Sequence, residues 1–295
     1  MKGKIRRLCL TLLIPLLLLM GCGQGREQAK EPSAEELLKE VISNQKQLKS
    51  GKMQMTMNFK AAMPLEEAQD LLGDVQNSAI QMDMDAELQF QEERMRMDGE
   101  LNMQIMSMKI PVPIESYTVK SGDKYVTYTK NGEEWQKSET DGSGGDMGAL
   151  VFAGQELYQG IQDESLTMTE ETLELDNETS TECYVIHSSI GGEVLNSLFS
   201  MAGQVPGQEN VLGDFRIEDE KVDLDLYVDK KEKEIIRTRI DMRQLMEKMM
   251  SDLTAQSGTD QTMKVDKFQI AVTIKERGET VEVEVPQEAL DAEEL

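Results

Sequence analysis

Histidine, cysteine, aromatic side chains and positive charge are all scarce in this chain. His187 is the only histidine among 295 residues. A lone imidazole leaves no second ligand for zinc, and no nucleophile elbow accompanies it to suggest a serine hydrolase. It alternates with Val185 on an expected strand and reads as a packed or edge histidine. Of three cysteines, Cys9 lies in a segment expected to be removed and Cys22 at an expected lipidation site. That leaves Cys183 without a partner, so no internal disulfide is expected and Cys183 reads as a small core hydrophobe. Lysine and arginine number 31 against 56 aspartates and glutamates. Such an imbalance disfavours nucleic acid and flat docking on anionic lipid heads, both of which need basic patches. Glycine motifs that cradle phosphate are missing, and the acidic loop at 141–146 lacks the ligand spacing of a calcium hand. No metal, cofactor or enzymatic activity is expected.

What is present at the N-terminus is more specific. Lys2, Lys4, Arg6 and Arg7 precede an apolar run at 8–20, which is shorter than the roughly 20 residues a spanning helix needs. The run ends in Leu19-Met20-Gly21-Cys22, which resembles the bacterial lipobox, where the cysteine receives a diacylglyceryl group and becomes the new N-terminus. The resemblance implies a signal peptide at 1–21 and lipid attachment at Cys22. Residues 22–32 read as a lipidated, flexible tether, and 33–295 as a single domain. Loss of the four signal cations takes the formal charge from −25 to −29. Membrane attachment is therefore expected to come from the acyl chains, with the protein on the outer face of the cell membrane.

Ser33 and Glu36 have capping-box spacing, and Leu37, Leu38, Val41, Ile42 and Leu48 predict an amphipathic helix ending near Gly51. The period then changes to two. Met53, Met55, Met57 and Phe59 alternate with polar residues, as do Met82, Met84, Ala86, Leu88 and Phe90, then Met95 and Met97, then Leu101, Met103 and Ile105. A phase slip after Ile105 predicts a bulge in a long strand, and Pro111-Val112-Pro113 is expected to break pairing. Turns are predicted at Ser121-Gly122-Asp123 and Asn131-Gly132. Helical spacing appears at 64–75, 150–161 and 192–202, and 203–213 reads as a loop. A strand pair is expected at 171–175 and 183–188, and Val222, Leu224, Leu226 and Val228 alternate with Asp223, Asp225 and Tyr227. Asp83, Asp85, Asp223 and Asp225 then read as a solvated face. Met242, Leu245, Met246, Met249, Met250 and Leu253 form a helical stripe, and strands are expected at 265–274 and 280–285. The sum is an α+β fold, one large curved antiparallel sheet with helices on its concave apolar face.

The Leu-Lys-Ser end of the first helix, the hairpin segment Lys124-Tyr125-Val126-Thr127-Tyr128, Gly132-Glu133-Glu134-Trp135 and Tyr227-Val228-Asp229-Lys230-Lys231 resemble the LolA-like and LppX-like lipoprotein carriers and lipoproteins of Gram-positive bacteria. That resemblance implies an open half-barrel around an apolar cavity. The chain has 21 methionines against one tryptophan, six tyrosines and six phenylalanines. Methionine is flexible and polarisable, so a Met-lined surface adapts to apolar ligands of varied shape. Copper does not explain the pattern, because periods of two and 3.6 already do. The expected ligand set is Met53, Met55, Met57, Met82, Met84, Met95, Met97, Met246 and Met250. The expected function is non-enzymatic binding of a lipid or other hydrophobic molecule. The alternative is a protein-interaction module, a surface sensor or envelope assembly factor, whose cavity is filled by its own helices.

Overall fold

In the computed structural model, the period-two segments become eleven antiparallel strands of one sheet. The structure describes residues 31–45, 48–62, 78–91, 93–105, 108–141, 161, 166–176, 179–192, 194–196, 217, 220–257, 264–278 and 282–292. Residues 1–21, Cys22, the tether up to residue 30, the predicted helices at 64–75 and 150–160 and the loop at 203–213 lie outside the described residues. The chain divides into Met1–Ser33 and Ala34–Leu295, and the second unit carries the sheet.

After helix α1 (Ala34–Gln45) come β1 (Ser50–Ala62), β2 (Ala79–Gln91), β3 (Arg94–Ile105), β4 (Met108–Ser121), β5 (Lys124–Asn131) and β6 (Glu134–Asp141). A second series follows: β7 (Thr167–Asp176), β8 (Thr179–Gly191), β9 (Lys221–Asp229), β10 (Ile235–Asp241), helix α2 (Arg243–Ser257), β11 (Lys264–Arg277) and the short α3 (Gln287–Leu290). The spatial order β6-β5-β4-β3-β2-β1-β11-β10-β9-β8-β7 is two meanders joined where the first strand meets the last. The sheet is open, with β6 and β7 at its edges.

Three expectations are corrected by this topology. The phase slip after Ile105 is a hairpin, in which Ile105 pairs with Met108, so that the apolar set passes from odd positions on β3 to even positions on β4. Pro111 and Pro113 do not break pairing. They sit inside β4 opposite Asn102 and Glu100, and β5 pairs with β4 only from Ser116 onward. The missing N–H groups therefore fall where β4 has a free edge among the described residues, the position in which a strand tolerates proline. No strand is found at 282–286, which is irregular. β11 already has β1 and β10 on its two sides, so no edge is left for a returning hairpin.

The Gly122 and Gly132 turns form as predicted; Gly132 adopts φ of 66°, open to glycine without strain. At the β9–β10 turn, Asp229 Oδ1 accepts from the N–H groups of Lys231 and Glu232 at 2.7 and 2.8 Å, which stabilises the reversal through Lys233.

One face of the sheet carries α1 and α2. Leu37, Leu38 and Val41 of α1 and Leu245 and Met249 of α2 bury against Ile186, Leu224, Leu226, Val228, Phe59 and Phe268. Phe59 and Phe268 meet edge to face at 5.5 Å. The opposite, outer face is covered at the other end of the sheet. There Val283, Val285 and Ala289 of the C-terminal segment pack on Tyr117, Val126, Tyr128 and Trp135. Cys183 lies in a small outer cluster with Val185, Leu173 and Tyr227, and burial raises its thiol above the ordinary cysteine range.

Candidate functional site

The strand methionines all fall on the helix-bearing face, because Met53, Met55 and Met57 share the parity of Phe59 and pair directly with in-phase neighbours. Reading across β11, β1, β2, β3 and β4 gives three parallel rows: Ile270-Met57-Met84-Leu101-Val112, Val272-Met55-Ala86-Gly99-Ile114 and Ile274-Met53-Leu88-Met97-Ser116. The middle row is built of small residues on β2 and β3. A Cβ added at Gly99 would lie 2.3 Å from the Asp85 carbonyl oxygen, so only glycine permits the close approach of β2 and β3 there. Ala86, only 1% exposed, and Gly99 thus form the low middle row of a saddle, with longer methionine side chains in the rows on either side.

The expected ligand set divides into three. Met53 and Met95 are core residues, buried with Leu48, Leu88, Phe90 and Ile274, and the half-buried Met55 and Met97 pack beside them. Met57, Met82 and Met246 pack against the larger cluster beneath the helices. Met84, on β2 between the two clusters, is half-buried, as is Met250 on α2. The structure therefore brings Met55, Met57, Met84 and Met97 around the Ala86–Gly99 floor. Met53 and Met95 lie on the same face but are buried in the neighbouring cluster with Leu88 and Phe90, and Met250 is not placed there by any contact.

A second site lies on the outer face of the other meander. His187, Asp223, Asp225, Arg239, Asp241 and Gln269 line an open cleft of about 340 Å³. His187 Nδ1 is 2.7 Å from Asp225 Oδ1, and its Nε2 is 2.8 Å from Thr169 Oγ1. A carboxylate only accepts, so Nδ1 carries the hydrogen and, in the neutral ring, Nε2 accepts from Thr169. Arg239 donates from Nε at 2.9 Å and from Nη2 to the other oxygen, Asp225 Oδ2. Its guanidinium also lies over the Tyr227 ring at 5.6 Å, and burial raises that phenol above its usual range.

The Thr169-His187-Asp225 row has the order of nucleophile, base and orienting acid. Its electrostatics differ from a catalytic relay, because Arg239 already shares the charge that would stabilise an imidazolium. The arrangement satisfies polar groups across four strands. It also corrects the expectation that Asp225 belongs to a solvated face, since its side chain is only 15% exposed. Sequence reasoning missed the cluster because His187 and Asp225 are far apart in the chain; their shared outward phase was the only available signal.

Among the described residues no group of histidine, cysteine, aspartate or glutamate side chains is arranged to hold a metal ion, and no helix is long and apolar enough to cross a membrane. The fold and the saddle define an open antiparallel-sheet protein with helices on one face and a half-buried apolar tract beside them. Residues 33–294 match the model of a family of unknown function, DUF6612, and the chain belongs to that family. No curated protein matches the sequence.

Proposed function

We propose that this is an extracytoplasmic lipoprotein, anchored at the outer face of the cell membrane through Cys22, that holds a lipid or other elongated hydrophobic molecule on the methionine saddle of β1–β3. The fold in this reading is a LolA-like half-barrel, with the helix-bearing face as its concave side. The observation that carries the reading is the half-buried state of Met55, Met57, Met84 and Met97 around a floor made of Ala86 and Gly99. A methionine surface of this kind conforms to an alkyl chain without a fixed shape, and each methylene it removes from water contributes roughly 0.8 kcal/mol. In this reading the protein acts by binding rather than by catalysis.

The interaction-module reading draws support from the other meander, where α1 and α2 already fill the apolar face against Ile186, Leu224 and Leu226. Fluorescent fatty-acid uptake by protein stripped of lipid through unfolding and refolding separates the two. Saturable binding that Met57→Asp and Met84→Asp weaken supports the ligand reading. Linear, unsaturable uptake identical in all three proteins sinks it.

A further inference from the structure

The described residues leave three large apolar side chains exposed, and two of them, Met108 at 61% and Ile110 at 39%, are neighbours on one face of β4. We propose that the β3–β4 hairpin is a membrane-contacting finger that dips into the lipid surface to which the chain is tethered. This goes beyond the ligand saddle and rests only on the anchoring part of the functional reading.

The hairpin runs beyond β5 on one side, since β5 accompanies β4 only from Ser116 onward, while β2 flanks β3 as far as Ile105. At its end Ile105 pairs with Met108 and Met103 with Ile110, which places four apolar side chains on one face. The charge pattern points to lipid rather than to water or a basic partner. Residues 101–114 contain no aspartate or glutamate, although the chain as a whole has 56, and their single charge is the exposed Lys109. Carboxylates are costly at a bilayer surface, whereas a lysine beside apolar side chains reaches its ammonium to the headgroups. A second copy of the chain is a poor occupant. Strand addition needs donors along the free edge, and Pro111 and Pro113 remove them where β4 has no second neighbour.

The test uses full-length protein on phosphatidylcholine vesicles whose acyl chains carry bromine. One environment-sensitive fluorophore is placed on Met108→Cys or, as reference, on Lys124→Cys, which opens β5 opposite Ser121 at the other end of β4; the native Cys183 is buried. The 108 fluorophore is expected to be quenched several-fold more than the 124 fluorophore, and Ile110→Asp is expected to remove most of that difference. Equal quenching at the two positions overturns the proposal. So does quenching at 108 that follows protein density on the vesicle instead of bromine content, which indicates a second copy. Co-pelleting with vesicles, compared with Cys22→Ser, reads the anchor separately. Loss of the anchor makes the two proteins pellet alike, while failure of the finger leaves pelleting intact and levels the fluorophores.

Discussion

On the meander β7–β11, Leu224, Leu226 and Val228 alternate with outward polar residues and disappear completely beneath α1 and α2. On the meander β1–β6, Met82, Met84 and Leu101 follow the same alternation and stay half-buried. The same period of two has been finished in different ways. One half has β-branched and leucine side chains in fixed packing with helices above them. The other has flexible thioethers, a glycine floor at Gly99 and a hairpin that ends in exposed Met108 and Ile110. The difference teaches that one half maintains the fold and leaves the other free to carry an adaptable surface.

The sharpest way to break that division is to truncate one side chain in the closed half. Leu226 has no exposed surface and sits where β8, β9 and β10 meet under the helices. Leu226→Ala is expected to lower stability by about 2–5 kcal/mol, read as a shift in the urea midpoint at unchanged slope. A shift below about 1 kcal/mol would mean that the helices do not seal this face.

The outer faces extend the comparison with a smaller effect. Asp225 accepts from His187 and Arg239, whereas Asp85, at the corresponding outward phase of β2, is exposed and accepts from Gln54 at 3.0 Å. Asp225→Ala leaves Arg239 without its acceptor and is expected to cost about 1–2 kcal/mol, moderated by the partial exposure of the guanidinium. Asp85→Ala should change stability by less than about 0.5 kcal/mol. Equal effects in the same urea titration would show that the cross-strand cluster has no structural role.

Much of this contrast was legible in the sequence, and the reasons differ by feature. Strand periods were readable because burial on one face imposes alternation locally, and the Gly132 reversal because an Asn-Gly pair needs positive φ in a tight turn. The hairpin between Ile105 and Met108 resembles a bulge in the sequence because both produce a one-residue change of phase, and Met106-Ser107 offers no glycine or asparagine to tell them apart. The proline pair misled for a related reason: whether Pro111 breaks a strand depends on whether its edge has a neighbour, which only topology decides. The β1–β11 pairing and the Asp225 cluster are both long-range, so no local period announces them. Period gives the strand methionines a common parity within each strand, but which face they take depends on strand register, and which of them are core depends on what packs above them.

A small expected effect on stability, paired with a larger one on binding, decides between the two functional readings. Met84 sits between the clusters and is already partly in water, so Met84→Ala removes little buried area and should cost less than about 1 kcal/mol. The same substitution flattens one wall of the saddle and is expected to weaken fatty-acid uptake several-fold. A larger side chain sharpens the point: Met84→Trp is expected to cover the Ala86–Gly99 row and block uptake while leaving the urea midpoint nearly unchanged. If Met84→Ala destabilises as much as Leu226→Ala, the methionine is core, the β1–β6 meander is closed like its partner, and the self-filled interaction module becomes the better account. If stability holds and uptake falls, the surface that the fold leaves unfinished is the one that works.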